Sequence, residues 1–269
     1  MLGAIAGDVI GSVYEHRDIK TKHFDLFDPE CRFTDDTVCT LAIAACLLEK
    51  GNFSEFLGNF ACRYKSRGFG GMFIRWAHQW KREPYDSWGN GSAMRVSPVA
   101  YWMSDKERVL ELAKRTSEVT HSHPDGVIGA QATALAIWLS RNDTDPENIR
   151  SEIECRFGYD LSQTVDEIRL AYKFDVSAAG SVPQAIICAL EASDYEDAVR
   201  NAISIGGDSD TIACITGGIA EALFGLPDDI AIKARGYLND ELLEILDRFE
   251  AVTDVRGSRH SCTEAGAST

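Results

Sequence analysis

Phe33-Thr34-Asp35-Asp36-Thr37-Val38-Cys39-Thr40-Leu41-Ala42-Ile43-Ala44-Ala45-Cys46-Leu47-Leu48-Glu49 is the stretch on which the fold turns. From Thr37 to Glu49 it is apolar nearly all round, with no alternation of polar and apolar residues. A helix with no face for water belongs at the centre of a core, and Gly51 is the expected stop. The Ala-rich run 127–140 reads the same way, as do 180–192 and 211–224. Amphipathic helices are expected near 53–65, 105–118, 146–156, 195–204 and 239–250. Alternating strand patterns are scarce. The reading is all-α: a compact, single-domain orthogonal helical bundle over residues 1–256, with a polar, small-residue tail at 257–269 expected to be disordered.

The acidic start of that first helix has a counterpart near the other end of the chain, Gly206-Gly207-Asp208-Ser209-Asp210-Thr211. Each motif offers two carboxylates and a Thr hydroxyl ahead of a helical stretch. Acidic residues in a first turn also cap helices and complement the helix dipole, so capping is the competing account of each motif alone. Four carboxylates converging in one fold repel unless a cation lies among them. Oxygen ligands without paired His or Cys favour Mg²⁺ or Mn²⁺ over Zn²⁺. The pair therefore points to a dinuclear metal site in a central cleft and to hydrolysis.

The composition narrows the class. Of 269 residues, 45% are hydrophobic, enough for one substantial core. Asp and Glu number 42 against 27 Lys and Arg, a net charge of −15, which disfavours nucleic acid as a partner. The cysteines form no CxxC pair, and several lie among Ala, Ile and Leu, as buried thiols of a reducing compartment do. With no signal-peptide pattern and no long apolar run, a cytoplasmic monomer away from membranes is expected. Glycines 3, 7 and 11 share one helical face and imply close packing of a neighbouring helix.

Three further segments complete a pattern: Gly3 to Ser12 with Tyr14-Glu15, Gly89-Asn90-Gly91-Ser92-Ala93-Met94-Arg95, and Thr120-His121-Ser122-His123-Pro124. With the two acidic motifs, in this order, the chain from Leu2 to about Gly225 resembles the ADP-ribosylglycohydrolases. The resemblance implies an enzyme that hydrolyses the bond joining ADP-ribose to a modified protein side chain or small acceptor. By general similarity to compact bacterial members, arginine is the expected acceptor. It implies two Mg²⁺ or Mn²⁺ ions held by Thr34, Asp35, Asp36, Asp208, Asp210 and Thr211. It makes Glu15, Asp35 and Asp208 the catalytic carboxylates, and Glu15, Asn90, Gly91, Ser92, Met94 and His121 the contacts to ADP-ribose. Asp8 reads as a structural carboxylate, Arg95 as an ion-pair partner, and Asp86 and His123 as less certain neighbours of the site. Phe69 and the stretch Tyr172–Phe174 are candidate adenine stackers, and the loops 16–32 and 66–90 are expected to govern access. Two other readings stand beside this one: a noncatalytic ADP-ribose-binding relative of the crystallin kind, and a two-metal phosphohydrolase.

Overall fold

The computed structural model describes the backbone of residues 1–264 and the side chains of residues 1–253. Its elements are α1 (Leu2–Gly11), α2 (Asp35–Glu49), α3 (Phe53–Arg63), α4 (Gly71–Ala77), α5 (Ser97–Trp102), α6 (Lys106–Glu118) and α7 (Pro124–Arg141). The second half holds α8 (Pro146–Phe157), α9 (Val165–Ala171), α10 (Ala178–Leu190), α11 (Tyr195–Ser204), α12 (Ser209–Phe224), α13 (Asp228–Gly236) and α14 (Asp240–Glu264). Asn90–Ser92 form a 3₁₀ turn. Among the described residues there is no strand, only an isolated bridge between Gly89 and Ser177. Of the tail expected at 257–269, the backbone to Glu264 continues α14 and residues 265–269 lie outside those described.

Each expected helix is present, with ends shifted by a few residues except in α14, which runs on to Glu264 from an expected end at 250. Thr34 caps α2, its hydroxyl accepting from Asp36 N–H at 3.2 Å. The helix ends differently from the expectation. Lys50 takes the left-handed conformation (φ 52°), and Gly51 follows with its N–H on Cys46 O at 3.0 Å. α7 starts earlier than its apolar run, because Pro124 suits a first helical position and His123 caps it. Three short helices, α4, α9 and α13, were not expected. α9 carries a complete capping box between Thr164 and Glu167, a signal present in the sequence. α4 opens on glycines, which oppose helix formation, and is held instead by burial of Phe73, Trp76 and Ala77.

The buried side chains form one apolar cluster running from Met1 to Phe249. α12 is its hub, packed against α1, α7, α10 and α11. The glycine face of α1 explains the closest of these contacts. A Cβ on Gly7 would stand 2.0 Å from Ala213 O, and one on Gly11 2.6 Å from the Asp210 Cα. α1 and α12 therefore touch backbone to backbone. This brings the start of α12, with its acidic motif, beside the end of α1 and the turn that carries Glu15.

Candidate active site

The starts of α2 and α12 meet at the floor of a cleft of about 700 Å³, within the range of small-molecule sites. Asp8 on α1 organises the first motif. Its carboxylate is fully buried and accepts from Thr34 N at 3.0 Å, Thr34 Oγ1 at 2.6 Å, Thr37 N at 3.1 Å and the Thr37 hydroxyl. This is the structural carboxylate expected from the sequence. It also fixes the Thr34 hydroxyl: the proton goes to Asp8 and one lone pair takes Asp36 N–H, so a second lone pair is left over. Thr34 is thus a helix cap, but Asp36 is not spent on capping. Its Oδ1 lies 3.5 Å from the Thr211 hydroxyl, and its buried Oδ2 has no hydrogen-bond partner.

The second motif argues more directly against capping. Asp208 occupies the N-cap position of α12 yet makes no capping bond. Its Oδ2 instead accepts from Asn90 Nδ2 at 2.7 Å, which ties the 3₁₀ turn to the acidic floor. Asp210 Oδ1 accepts from Thr211 N at 3.0 Å. Glu15, Asp208 and Asp210 each bring one oxygen within 4.8 Å of the others. Burial and mutual repulsion push these groups toward their protonated forms. Asp35 is pushed up to about 8 by burial first, then by Asp8. Asp36 is raised by burial and by Asp210, and Asp210 by burial and Asp208. Glu15 is half-buried and raised by burial, with Asp208 adding to the effect and His16 opposing it.

A buried carboxylate oxygen without a partner costs free energy unless a cation or proton meets it. The orphaned Asp36 Oδ2, the spare Thr34 lone pair and an all-oxygen donor set fit hard divalent cations. The donors that would hold them are Thr34, Asp35, Asp36, Asp208, Asp210 and Thr211, joined by Glu15. The resemblance implies a Glu15 that reaches both metal site and substrate, and the geometry sets one of its oxygens within 4.8 Å of oxygens of Asp208 and Asp210.

Asn90, Gly91, Met94 and His121 also line the cleft. Ser92 does not. Its hydroxyl is fully buried and donates to Gly126 O at 2.7 Å, joining the 3₁₀ turn to α7, so the expected substrate contact is a packing contact. Arg95 also departs from expectation. It has no carboxylate partner among the described residues and donates to Gly91 O, Thr116 O and Thr120 Oγ1 at 2.9–3.0 Å. Asp86 is exposed, lies outside the cleft lining and is held in a left-handed turn (φ 56°) beside Ser122. His123 serves as the α7 cap. Phe69 stacks on Phe73 at 5.5 Å, and Tyr172 packs at Gly207; of the candidate stackers, Phe174 lines the cleft.

Sequence reasoning missed Trp88, half-exposed on the cleft wall, and Arg75 near the glycine-rich loop. Nothing in a single sequence marks either, because each is selected by where its segment crosses the opening, a loop for Trp88 and α4 for Arg75. Both loops expected to govern access are anchored to the site. Asp18 accepts from Gly207 N at 3.0 Å, and Asp35 N donates to Arg67 O at 2.7 Å.

Fold and cleft together define an all-α protein with an acidic, ligand-sized site between two helix starts. The chain belongs to the ADP-ribosylglycohydrolase family, whose model matches residues 1–259. It is 26% identical to human ADP-ribosylhydrolase ARH3 over 326 aligned positions, which cover 90% of each chain. It is 29% identical to an uncharacterised protein of Archaeoglobus fulgidus, covering 77% of this chain and 78% of that one. A solved structure described as an ADP-ribosylglycohydrolase-related protein complex shares the fold with a TM-score of 0.65 and 22% identity, covering 94% of each chain. The family and these relatives support a hydrolase acting on ADP-ribose linkages.

Proposed function

We propose that the protein is a divalent-metal-dependent hydrolase that cleaves the glycosidic bond between ADP-ribose and a modified acceptor, releasing free ADP-ribose. The observation that carries this reading is the unpartnered, buried Asp36 Oδ2 at the meeting point of two acidic helix starts inside a ligand-sized cleft. Bound there, two Mg²⁺ or Mn²⁺ ions would neutralise the carboxylates and polarise substrate oxygens. The chain's own groups supply the rest. Asn90 braces Asp208, and the Gly89–Gly91 turn offers close backbone approach to the ligand. Trp88 and Phe174 supply flat apolar surface at the wall. Glu15, with its carboxylate raised by burial, takes the proton of the attacking water. The water oxygen bonds to the anomeric carbon as the bond to the acceptor breaks, through an oxocarbenium-like transition state. The proton taken by Glu15 passes to the departing acceptor, so one water is consumed and ADP-ribose and the unmodified acceptor are the products.

We take arginine as the acceptor, as the resemblance to compact bacterial members of the family implies. The cysteines among the described residues are free and mostly buried, which fits a reducing, cytoplasmic setting. No helix among the described residues is long and apolar enough to cross a membrane.

The test is release of ADP-ribose from arginine-linked and serine-linked peptides, side by side, with Mg²⁺, with Mn²⁺ and after chelation. Free ADP-ribose that depends on metal is the expected product. AMP would favour a phosphohydrolase, and tight ADP-ribose binding without turnover a binding protein. Activity surviving exhaustive chelation would overturn the metal assignment.

A further inference from the structure

Arg95 is fully buried, has no acidic partner among the described residues, and turns its two Nη atoms to uncharged acceptors, while its buried Nε has no partner. One of these is the hydroxyl of Thr120, at 2.9 Å from Nη2. The same hydroxyl lies 2.7 Å from Nδ1 of His121. Thr120 is itself fully buried. The other ring edge of His121, Nε2, faces the Gly89–Gly91 turn: a Cβ on Gly91 would lie 3.0 Å from it. Nε2 has no protein hydrogen-bond partner among the described residues, and His121 lines the cleft.

The order of donors decides which nitrogen holds the imidazole proton. Arg95 can only donate, so it fills one lone pair of the Thr120 oxygen. If His121 Nδ1 also donated, the oxygen would accept twice, and its own hydrogen would point at no acceptor in a buried setting. If Thr120 instead donates to Nδ1, the hydroxyl hydrogen and the Nδ1 lone pair satisfy each other. An unpaired buried donor is costly enough to bias the two tautomers by about tenfold or more.

We infer that Arg95, acting through Thr120, is a positioning residue that fixes His121 as the Nε2–H tautomer and aims a hydrogen-bond donor at an oxygen of the bound ligand. The ring is also kept neutral, because burial and then the Arg95 charge hold its pKa well below the usual histidine range. A protonated Nε2 has no lone pair for a cation, so His121 is a ligand contact and not a metal ligand. The oxygen it meets belongs to a ribose hydroxyl or a diphosphate, both acceptors of one N–H. This use of the donor rests on the proposed ADP-ribose chemistry, whereas the tautomer itself does not.

Long-range ¹H–¹⁵N correlation on the histidine-labelled, ligand-free protein reads the tautomer. Loss of one signal in His121→Asn identifies it among the six histidines. The expected pattern is a protonated Nε2 and an unprotonated Nδ1. Thr120→Val should turn this into a tautomer mixture and weaken ADP-ribose binding about tenfold. Thr120→Ser, which keeps the hydroxyl, should restore both. A wild-type proton on Nδ1, a wild-type mixture, or an Nε2–H signal indifferent to Thr120→Val overturns the inference. If Thr120→Val fails to fold, the wild-type and Thr120→Ser spectra still decide. A protein with the expected tautomer that releases no ADP-ribose would sink the proposed function and leave this relay standing.

Discussion

Glu15 sits where two roles meet, within reach of the Asp208 and Asp210 oxygens and half-open to the cleft. Glu15→Gln keeps the size and removes the basic charge. It should lower kcat about 10²-fold or more, the range of general acid–base catalysis, with a smaller loss of ADP-ribose affinity. Steady-state kinetics beside calorimetric ADP-ribose binding separate the two. An intact kcat, or a defect confined to affinity, would reduce Glu15 to a gate. Asp36→Asn and Asp208→Ala should each abolish turnover in folded protein, because Asp36 leaves an oxygen unspent and Asp208 makes no capping bond. Near-normal rates in either would return the motifs to helix termini. These carboxylates could be read from the sequence, since two acidic motifs of one chemistry are visible without coordinates. That Glu15 joins them could not be read from spacing, because its approach depends on how tightly α1 lies on α12. Ser92 misled for a related reason. It belongs to the right segment, but its rotamer points to Gly126 O, and segment membership carries no direction.

The α1–α12 contact is the element on which the cleft depends. Gly7→Ala puts a methyl group into Ala213 O, at 2.0 Å, and a flexible side chain cannot absorb the clash because backbone is in the way. The expected cost is about 1–3 kcal/mol or more in unfolding free energy, read by chemical denaturation. The separation it forces should also weaken metal binding, as it moves the Asp208–Asp210 segment away from Glu15. Full stability and unchanged metal affinity in Gly7→Ala would show that the stripe is not a spacer. The glycine periodicity announced a close helix neighbour, and the packing names it. Helix α4 marks the opposite limit: its glycine start reads as a loop, and only burial of Phe73 and Trp76 against the rest of the fold makes it helical. The side chain of Arg75 comes with that helix to the cleft.

For the whole chain, the carboxylate cluster links stability to pH and metal. Asp35 is held near 8 in the fold, by burial first and then Asp8, against an ordinary 3.8 in the unfolded chain. The folded state therefore binds more protons between about pH 4 and 8, and metal-free protein should lose stability as pH rises through that window. Saturating Mg²⁺ or Mn²⁺ binds the folded state alone and should raise Tm, most at the upper end. Thermal melts across that range with and without chelator check this; a metal-free profile that rises with pH would contradict it. The helical class, the buried central helices and the oxygen-only acidic motifs were already written in the sequence, because periodicity and residue chemistry are local properties. How closely the Glu15, Asp208 and Asp210 oxygens approach, that Asp208 is braced by Asn90 and does not cap its helix, and that Arg95 serves carbonyls and Thr120 without an acid were left to the folded chain. Those are relations between residues far apart in sequence. They are fixed by how closely α1, α2 and α12 pack, and no run of neighbouring residues encodes that distance.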